Sequence, residues 1–154
     1  MHWACFSQKG IGPIVPLQDS VTGTTHVRTL KRYAVPTLKR MFPTDDGLFQ
    51  EDNTTPHKSK VAGAFHKQVG LCVLSWPAQS LDLNQIENLW AEVKRNLRNR
   101  KRKPTNLLQL RHYVKDAWKA IPKVTIENIV DSMPSRIEAV IEHKEGLQSI
   151  DVLT

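Results

Sequence analysis

Residues 80–90 read SLDLNQIENLW and begin a helical pattern that continues to about residue 100. Asp82 together with Gln85 forms a plausible capping pair at the start of this predicted helix. Apolar side chains then recur at spacings of three and four, which are typical of an amphipathic helix with one buried stripe. These apolar positions are Leu83, Ile86, Trp90, Val93 and Leu97.

Glu87 lies in the second turn of this helix, on the shoulder of the apolar stripe and next to Trp90. At 100° per residue the same strip carries Ala91, Lys94 and Arg98. The simplest interpretation of Glu87 is a solvated residue. A functional interpretation requires a second carboxylate close by.

A second acidic stretch supplies a candidate. Residues 48–60 read LFQEDNTTPHKSK, so a short apolar strand ends on the adjacent acids Glu51 and Asp52. In open α/β sheets, sites form beyond the carboxyl ends of the strands. Two carboxylates that meet there can hold divalent metal ions, which suit phosphodiester cleavage and transfer. Asp52 and Glu87 are therefore candidate ligands for a divalent metal ion.

The remaining patterns predict an α/β sheet with a helical C-terminal layer. Residues 2–18 indicate two short strands with a turn around Gly10 and Gly12, and the run at 71–76 indicates a strand buried on both faces. Helices are predicted over 24–42 with an interruption near Pro36, over 58–68, over 105–121, and over 125–144 with a bend at Pro134.

Composition narrows the class of protein. The 154 residues fit one domain, and a net charge of +7 favours a nucleic acid partner. The two cysteines, Cys5 and Cys72, lie in separate apolar runs, so we predict two reduced, buried thiols rather than a disulfide or a cysteine zinc site. No continuous apolar run is long enough to span a membrane, so we expect no membrane partner. Trp76 and Trp118 are interpreted as core anchors.

A basic run, KRNLRNRKRK, occupies residues 94–103 and contains no acid. It fits either a solvated helix end or a surface that binds the DNA backbone without sequence specificity, and we favour the second interpretation. The predicted DNA-binding residues are Lys94, Arg95, Arg98, Arg100, Lys101, Arg102 and Lys103.

Three segments resemble the catalytic domain of the Tc/mariner superfamily of DNA transposases: FQEDNTTPHKSK at 49–60, the segment 75–97, and VDSMPSRIEAVIEHKEG at 130–146. The resemblance implies a ribonuclease H-like fold with an Asp–Asp–Glu or Asp–Asp–Asp triad that binds Mg²⁺ or Mn²⁺. It also implies DNA cleavage and strand transfer, and a nuclear location.

Two family motifs carry the resemblance. The motif Q-D-N-x-P-x-H is matched at the positions of Glu51, Asp52, Asn53 and His57. The resemblance implies that Asp52 and Glu87 are catalytic, metal-binding carboxylates, and that Glu51 is a solvated neighbour of Asp52. The motif S-P-D-L-N-P-I-E-N-L-W is matched from Ser80 to Trp90, with Glu87 as the acid and with Asn84 and Asn88 as supporting residues. Between Asp52 and Glu87 lie 34 residues, a spacing typical of one branch of the family.

The chain also departs from the family pattern. The family's first catalytic aspartate lies on a strand that would precede Met1, and the helix-turn-helix modules that read transposon ends are missing. Leu81 and Gln85 stand where the second motif has proline. We therefore expect a ribonuclease H-like sheet that lacks its first central strand, with a strand-rich part at 1–79 and a helical part at 80–154.

These departures leave two functions open. The first is a transposase catalytic domain that is inactive, or nearly so, in this chain because one metal ligand is lost. The alternative is a non-catalytic DNA-binding or interaction protein derived from a transposase. His57 fits either a residue that orients the loop after the strand or a surface histidine beside Lys58 and Lys60. Two questions stay open: whether the chain forms a homodimer, and whether Asp19, Asp45 or Asp46 replaces the missing aspartate.

Overall fold

The structure, a computed structural model, describes residues 1–18, 20–44, 46–74 and 83–150, with side chains as far as residue 142. Two strands are followed by a series of helices that includes one π turn. The elements in chain order are β1 (His2–Ser7), β2 (Gly10–Pro16), α1 (Gly23–Thr29), the π turn (Leu30–Ala34), α2 (Val35–Met41), α3 (Lys60–Val69), α4 (Ile86–Asn99), α5 (Leu107–Lys119), α6 (Lys123–Asp131) and α7 (Met133–Ile150).

The two predicted N-terminal strands are confirmed and form an antiparallel hairpin. Ser7 pairs with Gly10, so the turn consists of Gln8 and Lys9 rather than the predicted region around Gly10 and Gly12. The register shifts between Ala4 and Phe6, which marks a bulge in the hairpin.

The hairpin separates two apolar clusters, because successive side chains of a strand point to opposite faces. Ala4 and Phe6 lie in a cluster with α4, α5 and α6, whereas Trp3 packs against a cluster formed by α1, the π turn and α3. The buried members of the larger cluster are Ala4, Leu89, Val93, Val114, Ala117, Trp118, Ile121, Ile126 and Ile129. Those of the smaller cluster are Leu30, Ala34 and Phe65.

Trp118 connects the hairpin to α5 and is 1% exposed. Its Nε1 donates a hydrogen bond of 3.0 Å to the carbonyl oxygen of Gly12. A Cβ at Gly12 would overlap Cys5 Sγ, so the strands approach too closely for any larger residue at this position. The prediction of Trp118 as a core anchor is confirmed, whereas Trp76 lies outside the described residues.

The predicted interruption near Pro36 is confirmed and takes the form of the π turn. Proline has no N–H, so Pro36 cannot donate to the carbonyl of Arg32, four residues earlier. The N–H of Val35 instead donates to the carbonyl oxygen of Leu30, five residues earlier. The chain therefore passes from α1 through the π turn into α2, which contains Pro36 and continues to Met41.

The predicted strands at 48–52 and 71–76 are shorter than expected in the part of the chain that is described. They meet in one parallel bridge between Phe49 and Val73. The N–H of Phe49 donates to Cys72 and the N–H of Leu74 donates to Phe49, both at 2.8 Å. The predicted burial on both faces is wrong for Cys72, which is exposed, and for Leu74, which is 39% exposed. Burial depends on the neighbours that pack on each face, and an apolar run alone does not specify them.

The helices at 58–68 and 105–121 are confirmed as α3 and α5, with differences of one or two residues at their ends. The predicted start of α4 is wrong, because the helix begins at Ile86 and the N-cap residue Gln85 makes no side-chain capping hydrogen bond. The predicted partner Asp82 lies outside the described residues.

The single bent helix predicted over 125–144 is instead two helices, α6 and α7, separated by Ser132. Pro134 is the second residue of α7, where its missing N–H costs no helical hydrogen bond. Within the described ranges, no helix combines the length and the apolar character needed to cross a membrane.

The two cysteines differ in environment, because Cys72 is exposed and Cys5 is half-buried. The prediction of two buried thiols is therefore wrong for Cys72 and met only in part by Cys5. Burial of Cys5 raises the pKa of its thiol to about 11, against the opposing effects of Arg40 and Thr37. The thiolate is the reactive form, so Cys5 is protonated and slow to react near neutral pH.

We expect iodoacetamide at pH 8 to alkylate Cys72 in the folded chain much faster than Cys5, and to alkylate both residues equally in urea. Peptide mass spectrometry measures both rates, and the Cys72→Ser variant isolates the slow reaction. Equal rates in the folded chain would contradict the described burial of Cys5.

Candidate functional site

The loop between the Phe49 bridge and α3 is ordered by its own hydrogen bonds. The N–H groups of His57 and Lys58 both donate to the carbonyl oxygen of Thr54, at 3.0 and 3.1 Å. Ser59 then caps α3, because its hydroxyl oxygen accepts the N–H of Ala62 at 3.2 Å. These hydrogen bonds therefore give the loop a defined backbone conformation, which fixes the positions of its side chains.

Helix α1 begins directly against this loop. A Cβ at Gly23 would overlap the hydroxyl of Ser59, so the first residue of α1 can approach the loop only because it is glycine. The N-cap residue Thr22 and residue Thr25 form a capping box that fixes this end of the helix. The next residue, His26, is thereby directed towards the acidic end of the strand segment.

Asp52 lies at the start of the loop with its side chain 35% exposed. Its Oδ1 accepts the backbone N–H of Thr54 at 3.1 Å and lies 2.7 Å from Nδ1 of His57. Partial burial tends to raise the pKa of Asp52, but the hydrogen bonds from Thr54 and the contact with His57 outweigh it, so the pKa is lowered overall. Asp52 is therefore an ionised carboxylate at neutral pH.

His57 is 20% exposed and makes two contacts with Asp52. Besides the side-chain contact, its Nδ1 lies 3.1 Å from the backbone carbonyl oxygen of Asp52. On the other side, its ring centroid lies 4.2 Å from that of His26. This geometry favours the interpretation of His57 as the residue that orients the loop.

Glu51 is not a solvated neighbour of Asp52, and this prediction is wrong. Its side chain is 9% exposed and lies between two histidines. Glu51 Oε2 is 3.0 Å from His26 Nε2, and Glu51 Oε1 is 3.5 Å from His66 Nε2. A buried carboxylate needs such partners because an unpaired buried charge is costly.

Sequence reasoning missed His26 and His66, although their spacing carried a signal. His26 precedes the buried residues Leu30 and Ala34 by four and eight positions, so it belongs to the buried face of its helix. His66 likewise follows the buried residue Ala62 by four positions. Burial lowers the pKa of His66, and the nearby Glu51 carboxylate opposes this shift.

Glu87 is an exposed residue in the first turn of α4. This position corrects its predicted place on the shoulder of a buried stripe. Gln50 Nε2 donates to the carbonyl oxygen of Leu83 at 3.4 Å. Because Asp52 is two residues after Gln50 and Glu87 is four residues after Leu83, this bond joins the two acid-bearing segments. That the two carboxylates share a metal ion stays a prediction.

The supporting asparagines lie close to these acids along the chain. The carbonyl of Asn84 accepts the N–H of Glu87 at 3.1 Å, and the side chain of Asn88 donates to the carbonyl of Gln85 at 3.4 Å. Both contacts stabilise the first turn of α4. Asn53 follows Asp52 in the loop and is half-buried.

The basic run divides into exposed cations and cations with structural contacts. Arg100 lies 4.1 Å from the ring centroid of Tyr113 and 3.4 Å from Asp116 Oδ2, so it joins the end of α4 to α5. Lys103 donates to the carbonyl oxygen of Arg98 at 2.6 Å, and Arg95 contacts Glu92 within the helix. Four further residues are exposed and make no such side-chain contact with the described part of the chain: Lys94, Arg98, Lys101 and Arg102.

Comparisons with known proteins agree with these motifs. The family model for DDE superfamily endonucleases matches residues 5–111. The chain is 34% identical over 148 residues to the transposable element Tcb2 transposase of Caenorhabditis briggsae, covering 94% of this chain and 52% of that protein. It is 33% identical over 146 residues to the Tc1 transposase of Caenorhabditis elegans, covering 92% of this chain and 51% of that protein. The chain thus spans about half the length of these curated relatives.

Among solved structures, the catalytic domain of Mos1 mariner transposase is similar, with a TM-score of 0.77 at 17% sequence identity. The match covers 89% of this chain and 70% of that chain. At this identity the likeness concerns the fold, and it confirms the predicted ribonuclease H-like α/β class.

The contact between His57 and Asp52 leads to a test by pH titration. We expect His57→Gln to move the pKa of Asp52 up towards the ordinary value of 3.8, because the variant removes a positive charge and a hydrogen bond. Carbon-13 NMR of the Asp52 carboxyl group measures the change, and His112→Gln on the exposed face of α5 is the control. An unchanged pKa in His57→Gln would contradict the described contact.

The same shift has a consequence for stability. Because the pKa of Asp52 is lower in the folded chain than in the unfolded chain, its contribution is fully present above about 3.8. This contribution is lost as the pH falls through the lowered pKa, and it should be smaller in His57→Gln.

Proposed function

This chain belongs to the DDE superfamily of endonucleases and, within it, to the Tc/mariner transposases, and we propose that Asp52 and Glu87 are two of its metal-binding carboxylates. In this proposal the domain takes part in metal-dependent cleavage and transfer of DNA strands. The hydrogen bond from Gln50 to Leu83 carries the proposal, because it joins the segments that bear the two acids.

The two side chains suit a hard divalent cation. Mg²⁺ and Mn²⁺ prefer oxygen ligands, and both acids are accessible enough to meet a partly hydrated ion. The lowered pKa of Asp52 keeps its carboxylate charged at neutral pH. Structures of the similar Mos1 catalytic domain have been determined with raltegravir and either Mg or Mn, at a TM-score of 0.77 to this chain.

Different residues of this chain position Asp52 and Glu87. His57 and Thr54 hold one oxygen of the Asp52 carboxylate, which leaves the group oriented at the exposed end of the strand segment. The first turn of α4 presents Glu87 to solvent, and Asn88 stabilises this turn. A bound divalent cation would supply polarisation of the attacking and leaving oxygens of a phosphodiester.

Two carboxylates alone bring little negative charge for a pair of cations. Glu51 does not add to them, because its side chain is held by His26 and His66. If Asp52 and Glu87 are the only protein ligands among the described residues, we expect a divalent ion to bind weakly and to support little DNA cleavage.

The metal ligands can be tested without an activity assay. We expect Asp52→Asn and Glu87→Gln each to weaken Mn²⁺ binding by about tenfold or more, measured by electron paramagnetic resonance of the free ion. Glu127→Gln, an exposed acid on α6, is the control for loss of one negative charge. Binding that is equal in all four proteins would exclude the proposed ligands.

We also propose that the exposed part of the basic run contacts the DNA backbone. Lys94 and Arg98 lie on the same helix as Glu87, and Lys101 and Arg102 follow the end of this helix at Asn99. Phosphates bound there would therefore lie on the C-terminal side of the proposed metal ligand. Mos1 is known in a paired-end complex with the left transposon end, at a TM-score of 0.75 to this chain. A DNA partner would accord with a nuclear location, which we retain as part of this proposal.

We expect weaker binding to random-sequence duplex DNA when four exposed cations are replaced by glutamine: Lys94, Arg98, Lys101 and Arg102. Each phosphate contact that is lost should reduce the slope of log affinity against log salt by about 0.9. Fluorescence anisotropy at several salt concentrations measures both quantities. The matched control neutralises four exposed cations of the α1–α3 side: Lys31, Arg32, Lys39 and Lys67.

The control variant lowers the net charge by the same amount. It therefore distinguishes the loss of a specific DNA-binding surface from the general effect of a lower net charge on DNA binding. Equal weakening in both quadruple variants, or an affinity that does not depend on salt, would overturn the proposed surface.

A further inference from the structure

We propose that His26, Glu51 and His66 form a transition-metal site of the Zn²⁺ class, separate from the Asp52 and Glu87 carboxylates. The proposal does not depend on the proposed function. It rests on the positions and the chemistry of three side chains that the transposase motifs do not explain.

The ligand atoms of the three residues lie close enough for one ion. One nitrogen from each histidine and one oxygen of Glu51 all lie within 4.8 Å of one another. His26 Nε2 is 3.0 Å from Glu51 Oε2, and His66 Nε2 is 3.5 Å from Glu51 Oε1. Tetrahedral Zn²⁺ with bonds of about 2.1 Å separates neighbouring ligand atoms by about 3.4 Å. The contacts of 3.0 and 3.5 Å are already close to this spacing. A separation as long as 4.8 Å would have to shorten by roughly 1.4 Å when an ion binds.

The burial of the cluster supports a bound ion. The side chains of His26, Glu51 and His66 are 3%, 9% and 12% exposed. His66 Nε2 is buried and has no hydrogen-bond partner among the described residues. A buried polar atom without a partner is costly, and coordination to a metal would use its lone pair.

Three separate elements hold the ligands in place. His26 lies on α1 and His66 on α3, and these two helices pack against each other. Glu51 follows the Phe49 bridge and begins the ordered loop. Ligands fixed by packed helices and a hydrogen-bonded loop need little reorganisation to receive an ion.

The donor set selects the kind of metal. Two imidazole nitrogens and one carboxylate oxygen suit Zn²⁺ and its neighbours in the first transition series, whereas Mg²⁺ prefers oxygen ligands. Three protein ligands also leave a fourth position for water. The site would fix Glu51 and, through the backbone, the adjacent Asp52, so it would help to order the loop that carries the proposed Mg²⁺ ligand.

The other interpretation is a hydrogen-bonded cluster with no ion, in which Glu51 serves only as an acceptor for the histidines. The two interpretations differ for Glu51→Gln. Glutamine keeps the volume and can still accept from His26 while donating to His66. It removes the negative charge that a metal ligand needs.

The test uses the full chain, freed of metal with a chelator and titrated with Zn²⁺ and with Co²⁺ as a spectroscopic probe. We expect one ion per chain and visible Co²⁺ absorption typical of a site with four or five ligands. Glu51→Gln and His66→Ala should each lower the affinity for Zn²⁺ by about 100-fold or more. Thermal unfolding should shift upward with Zn²⁺ in the wild type and not in Glu51→Gln.

Two controls give the result its specificity. His112→Gln removes an exposed histidine of α5 and should leave Zn²⁺ binding unchanged. Asp52→Asn should leave the affinity for Zn²⁺ unchanged and lower the affinity for Mn²⁺. A failure of either proposed site can therefore be distinguished from a failure of the other. If His66→Ala does not fold, the nearly isosteric Glu51→Gln decides the question.

Wild-type chain that binds no Zn²⁺ stoichiometrically would overturn the proposal. Glu51→Gln that folds and binds Zn²⁺ as tightly as the wild type would overturn it as well, because the ion would then be held elsewhere.

Discussion

The alternation of side chains along β1 is the constraint on which the arrangement depends. Trp3 faces the layer of α1 and α3, whereas Ala4 faces the layer of α4 to α6. A single residue of register slip would exchange these faces and expose both clusters. The hydrogen bond from Trp118 to Gly12 fixes α5 on the hairpin, so the layer that carries Glu87 has a defined position relative to the layer that carries the loop.

The same period of two separates the neighbouring acids. Adjacent residues of an extended segment point to opposite sides, so Glu51 turns into the packed histidines while Asp52 remains accessible beside His57. One carboxylate is thereby committed to the interior and the other is available to a ligand. This division explains why two acids that look equivalent in the sequence have different environments.

Much of the fold follows from local pattern. The hairpin, α3, α5 and the interruption at Pro36 all arise from spacing, turn residues and the missing N–H of proline. The exposure of Cys72 could not be predicted, because burial of an apolar run depends on neighbours from distant parts of the chain. The break between α6 and α7 at Ser132 was also missed, since Pro134 fits either the first turn of a new helix or a kink in a continuous one.

The candidate site shows the same limit in a different form. The motifs predicted roles for Asp52 and Glu87. They could not show that Glu51 is paired with His26 and His66, which are 25 and 15 positions away in the chain. A single histidine in a helical sequence can lie in the core or at the surface. The packing of α1 against α3 brings two histidines to one carboxylate, and the sequence does not show this packing. Because Glu51 and Asp52 share a peptide bond, whatever holds the first acid also restricts the position of the second. The interior cluster is therefore part of the physical basis for the orientation of the exposed carboxylate.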